Sequence, residues 1–185
     1  MLLGAALLLL CTALRGQDRV LLGTFHSPKG VGASAIFWSP NGAEMDILTL
    51  RTDFYGVLAG RTRDVGALLA YSHDYVLWDH AGPDYRLRLH VGAGGQLGYV
   101  HDFERGFFSA TERRLLHGAG AMASVSGNAG VCVDFSRRLT LDVSFSVAPG
   151  VHLRVDRPTG AVLVSFYQCG VYHAYIPQVN LMYRF

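Results

Sequence analysis

The chain has 185 residues, a length that fits one domain, with 16% charged and 50% hydrophobic residues. The charged share lies below the roughly 25% of soluble domains, and a net charge of +2 without a basic stripe argues against a nucleic-acid partner. No apolar run reaches the about 18 residues of a transmembrane helix, so the hydrophobic residues must be spread over short alternating segments.

Met1 to Ala13 is an apolar run of signal-peptide length, too short to cross a bilayer as a helix. Cleavage after Ala13 or near Gln17 makes 1–17 a removed signal peptide and 18–185 the mature domain, although the n-region lacks Lys and Arg. Acylation of Cys11 is disfavoured by the bulky Leu10 before it, and a buried N-terminal helix is the other alternative.

Residues 18–29 read as an irregular lead-in. Val31–Trp38 is the first expected strand, with Val31, Ala33, Ala35 and Phe37 on one face, and Ser39-Pro40-Asn41-Gly42 is a turn. Met45–Phe54 follows, with Leu48, Leu50 and Phe54 opposite Thr49, Arg51 and Asp53; Tyr55–Thr62 reads as a loop. Val65–Tyr75 is the third strand and Asp79–Pro83 the next turn. Asp84–Tyr99 is the clearest: its odd positions run Tyr, Leu, Leu, Val, Ala, Gly, Leu, Tyr, and its even positions carry Asp84, Arg86, Arg88, His90 and Gln96 among glycines. That length exceeds the about 5–6 residues of an ordinary strand and covers the about 9–11 that a tilted membrane strand needs.

His101–Leu116 is a long connection in which Ser109-Ala110-Thr111-Glu112 matches a capping box. Ala121–Phe135 and Leu139–Val147 are the fifth and sixth strands, joined at Ser136–Arg138. Val162, Val164 and Phe166 mark a seventh, and Gln168–Pro177 is a loop. The terminal stretch Val179–Phe185 places Val179, Leu181, Tyr183 and Phe185 on one face against Asn180, Met182 and Arg184.

These segments predict an all-β chain, a single antiparallel up-and-down β-barrel of about eight strands, with no helix long enough for a parallel crossover. The polar faces carry small polar residues and charges of both signs, which suits a narrow lumen rather than a water-facing surface. The expected lumen network is Arg51, Asp53, Arg86, Arg88, His90, Asp134, Asp142 and Arg184. With both termini on one side, this count puts the long 101–116 connection at the end where turns are normally short, and the Ser136–Arg138 turn at the end where loops are long.

The chain resembles the small outer-membrane β-barrel proteins of Gram-negative bacteria, on the signal-like Met1–Ala13, the alternating segments and the terminal Val179, Leu181, Tyr183 and Phe185. The resemblance implies a transmembrane barrel in outer-membrane lipid, inserted by the outer-membrane assembly machinery with the terminal strand as the recognised signal. It does not specify a function; the expected role is structural or loop-binding, because no catalytic, metal-binding or cofactor motif is present. Two alternatives stand beside it. A lipid-modifying enzyme would draw on His73 with Asp74, or on His117; a soluble barrel would bind an apolar ligand inside. Cys132 and Cys169, the cysteines outside the leader, are candidates for a disulfide that sequence does not decide.

Overall fold

Alternation with a period of two places successive side chains on opposite faces, and a sheet with one apolar face closes on itself to remove its edges. The structure, a computed structural model, describes residues 19–27, 30–52, 66–102, 118–155, 160–172 and 174–184. It contains β1 (Val20–Ser27), β2 (Gly30–Trp38), β3 (Glu44–Thr52), β4 (Ala67–Ala81), β5 (Arg86–Asp102), β6 (Gly118–Asp134), β7 (Leu139–Val147), β8 (Gly150–Val155), β9 (Val162–Phe166) and β10 (Gln178–Arg184), with a short helix α1 (Cys169–Tyr172) before β10. Every pairing is antiparallel, and β10 pairs with β1 to close the ring.

These segments make eight barrel strands. β7 and β8 are one strand: β6 pairs with both in unbroken register, from Gly127↔Val147 to Ser124↔Gly150. The interruption falls at Pro149, which cannot donate to the ladder but still accepts from the Val125 amide at 3.1 Å. β9 and β10 are likewise two parts of the last strand, one on β8 and the other on β7, with 167–177 inserted between them.

The expected lead-in at 18–29 is corrected here, because Val20–Ser27 is the first strand and pairs on both edges. It escapes a period-2 reading because its inward face is itself apolar at Leu21 and Phe25. With this strand added and the last two segments merged, the count stays at eight while the sides of the connections reverse. The turns at 39–43, 82–85 and 135–138 now lie at the end that holds both termini, called the terminal end below. The 101–116 connection lies at the far end, where long loops belong.

Local chemistry fixes the turns. Asn41 Oδ1 accepts from the Ala43 amide at 3.0 Å and from Ser39 Oγ at 2.6 Å, while Gly42 takes φ +69°. The 82–85 turn starts later than Asp79–Pro83 predicts, since β4 runs on to Ala81 past a bulge between Val76 and Trp78. The extra residue, Leu77, shifts the phase, so Trp78 and His80 point outward and Asp79 turns to the arginines of β5.

Partner by partner, the ring runs from Trp78 through Leu89, Val131, Val143, Val179, His26, Val31 and Thr52 to Ala67. It returns to β4 eleven residues from its start, one of them the bulge residue, so the shear is ten. Eight strands about 4.8 Å apart with that shear tilt by roughly 40°.

The outer face carries Leu48, Leu50, Leu69, Leu97, Val125, Phe145, Val164 and Leu181, all exposed. The inner face buries Ser34, Thr49, Ser72, Asp74, Arg88, His90, Asp142 and Asn180. Exposed apolar area on this scale marks a surface meant to be covered.

Candidate functional site

The lumen is built in layers. At the terminal end Leu21, Ile36, Met45 and Met182 form an apolar plug with Trp38 and Ile47 against it. Arg88 lies beside this plug, its guanidinium carbon 4.4 Å from the Trp38 ring centroid and Nη2 donating to Asp134 Oδ2 at 2.9 Å. Thr140 Oγ1 donates to the other Asp134 oxygen at 2.5 Å. At the far end Leu68, Val100, Met122, Tyr167 and Cys169 form a second plug, with the segment around α1 folded inward.

Between the plugs His90, fully buried, bridges two buried carboxylates. Its Nδ1 is 2.7 Å from Asp74 Oδ2 and its Nε2 2.8 Å from Asp142 Oδ1. A ring that donates from both nitrogens is the imidazolium. Ser72 donates to Asp74 Oδ1 at 2.7 Å, and Asn180 Nδ2 to Asp142 Oδ2 at 2.8 Å. Asn180 Oδ1 accepts from Ser34 Oγ at 2.8 Å, and Ser34 in turn meets Thr49 Oγ1 at 2.8 Å. One chain of hydrogen bonds therefore ties β4, β5, β7, β10, β2 and β3 across the lumen.

Glycine makes room for it. A Cβ at Gly130 would stand 2.5 Å from His90 Nε2, and one at Gly92 would overlap the Asp74 carboxylate. Above this layer is a small cavity of about 40 Å3, lined in part by Phe25, Arg51, Gln96 and Ser126 and large enough for one or two waters. Arg51 donates to Gln96 Oε1 at 3.2 Å and lies over Phe25.

Of the residues expected in the lumen network, Arg88, His90, Asp134 and Asp142 are gathered in two clusters, Arg88 with Asp134 and His90 with Asp142, and Arg51 stands beside Gln96. Arg86 is at the edge of the barrel, half-exposed and paired with Asp79. Arg184 is partly buried at the terminal end, its amide donating to the Arg138 carbonyl at 2.8 Å. Asp53 and His117 lie outside the described residues. Asp74, Asn180 and Trp38 were missed as network members. Asp74 was legible as a polar-face residue of its strand, whereas Trp38 and Asn180 had no charge to draw attention. Of the expected insertion signal, Leu181 and Tyr183 are exposed on the outer face and Val179 is partly exposed there; Phe185 lies outside the described residues.

This arrangement crosslinks strands; it does not activate a nucleophile. Both imidazole nitrogens of His90 are taken by carboxylates, and Ser72 donates to a carboxylate rather than to the ring. The candidate pair His73 and Asp74 is split, since adjacent strand residues face opposite ways: His73 meets Asp46 outside at 2.9 Å while Asp74 meets His90 inside. Among the described residues no group of three or more His, Cys, Asp and Glu is disposed to hold a metal. Cys132 and Cys169 are buried in different layers and form no disulfide.

The fold is similar to the crystal structure of the N-terminal β-barrel domain of Pseudomonas aeruginosa OprF, with a TM-score of 0.54 and 14% identity over 92% of this chain and 100% of that one. At that identity the likeness is one of fold: a closed eight-stranded antiparallel barrel. No family model matches the sequence, and no curated protein matches it.

Proposed function

We propose that this chain is an exported outer-membrane barrel with a closed lumen that acts as a structural anchor or binds partners through its far-end loops, without catalysis. One observation carries the reading: the barrel is apolar outside, while its interior holds the Asp74–His90–Asp142 bridge between two apolar plugs. A solute would have to break that bridge to pass, and a soluble barrel would bury the apolar face instead. Outer-membrane lipid covers the belt, and the strand carrying Val179, Leu181, Tyr183 and Phe185 is the signal read by the assembly machinery.

The test is fractionation combined with gel mobility of unboiled and boiled samples, followed by conductance of the folded protein in planar bilayers. The expected result is an outer-membrane protein whose compact band shifts on boiling and which opens no sustained channel. A soluble protein without a shift would overturn the membrane reading, and steady conductance would overturn the closed lumen.

A further inference from the structure

Asp46 and His73 are Cα partners on β3 and β4, and both side chains point outward. Among the described residues, the outward positions of β2, β6, β7 and β10 carry no Asp, Glu, His, Lys or Arg, so a charged pair is out of place on this wall. It does not sit at a rim. His73 is the seventh of the fifteen residues of β4, and the register sets Asp46 beside it near the middle of the wall. Charge is costly on a lipid face, and most costly near the midplane.

Within one chain the pair is only half satisfied. Asp46 Oδ1 accepts from the Tyr71 hydroxyl at 2.7 Å and meets His73 Nδ1 at 2.9 Å. Asp46 Oδ2 and His73 Nε2 have no partner among the described residues, and the side chains are 45% and 36% exposed. One acceptor and one donor are left over on adjacent strands. With strands about 4.8 Å apart and tilted by roughly 40°, the two residues differ in depth by about 3 Å, less than the span of their side chains.

We infer that β3 and β4 form the interface of a symmetric dimer, in which Asp46 Oδ2 accepts from Nε2 of the partner's His73. Two copies inserted in the same direction are related by an axis parallel to the barrel axis, which keeps each residue at its own depth. An axis between β3 and β4 sets β3 of one copy against β4 of the other, so both leftover acceptors meet both leftover donors. Each imidazole then donates from both nitrogens as the imidazolium, and two imidazoliums with two carboxylates leave the covered cluster neutral. A surplus of acid would call for a basic partner; a balanced pair complements its own copy. The inference rests on the membrane reading above. In a large excess of lipid the copies separate by mass action, and this face, Leu48 included, meets acyl chains.

The test uses Leu50→Cys on β3 and, as reference, Phe145→Cys on β7 at the opposite side of the ring. Each is folded into phosphatidylcholine vesicles at a low lipid-to-protein ratio, treated with a short bismaleimide and run on a denaturing gel. Leu50→Cys should give a covalent dimer and Phe145→Cys little. Adding Asp46→Asn and His73→Gln to Leu50→Cys should lower the dimer about tenfold. Exchanging the two residues, Asp46→His with His73→Asp, should restore it, because the exchanged pair is still self-complementary. No dimer from Leu50→Cys, equal dimer from both sites, a yield indifferent to the loss of Asp46 and His73, or no recovery in an exchanged variant that keeps its heat-dependent gel shift would each overturn the inference. Leu69→Cys on β4 serves if Leu50→Cys lacks that shift. A wild type that lacks the shift fails the barrel reading itself, which separates the two.

Discussion

His90 and Asp142 meet at 2.8 Å in the middle of the lumen, although 52 residues separate them in the chain. Because the opposite nitrogen of the same ring meets Asp74, the two carboxylates share one cation. Removing the ring leaves both acids buried without it. His90→Ala should therefore destabilise the folded barrel by roughly 3–5 kcal/mol. Urea titration in lipid vesicles reads this directly, and adding Asp74→Asn with Asp142→Asn should restore part of the loss. A single variant as stable as the wild type would show that the bridge holds nothing.

The two arginines of β5 should behave differently. Arg88 is buried against Trp38 and Asp134, whereas Arg86 is half-exposed on Asp79. Arg88→Ala leaves the partly buried Asp134 without its cation and should cost several times more than Arg86→Ala, which an exposed pair limits to about 1 kcal/mol or less. Equal losses in the same titration would contradict this layering.

Leu48 lies at the centre of β3 on the outer face. Leu48→Arg should cost roughly 2–4 kcal/mol of folding free energy in bilayers. In a short-chain detergent, where the side chain reaches water, the cost should shrink. A penalty independent of the surrounding medium would argue against lipid contact at this position.

Cys132 and Cys169 are buried in separate layers of the lumen and are not joined in a disulfide. Maleimide should label neither thiol in the folded barrel and both after boiling in denaturant, with no mobility change on reduction. Rapid labelling of the folded protein would mean that the lumen is open to water.

The terminal strand presents Leu181 and Tyr183 outward, and Arg138 donates to the Tyr183 hydroxyl at 3.1 Å. Deleting Phe185 together with Tyr183→Ala should block assembly in cells. Normal outer-membrane yield of that variant would remove the insertion-signal role.

Sequence alone determined the class of the fold, because the long strands state it locally. In Arg86–Tyr99 and Leu139–Val147 each residue's polarity matches the face it occupies, and period two carries that over many positions. The mixed-sign polar face identified Arg88, His90, Asp134 and Asp142 as inward for the same reason. The tertiary structure decided what depends on closure. Val20–Ser27 is a strand because β2 and β10 flank it, and its apolar inward face belongs to plugs that no local pattern announces. The bulge at Leu77 turned Asp79 inward, and the break at Pro149 left one strand rather than two, since both are properties of pairing with a neighbour. Which carboxylates share His90 follows from a shear of ten around the ring, a relation between strands far apart in the chain.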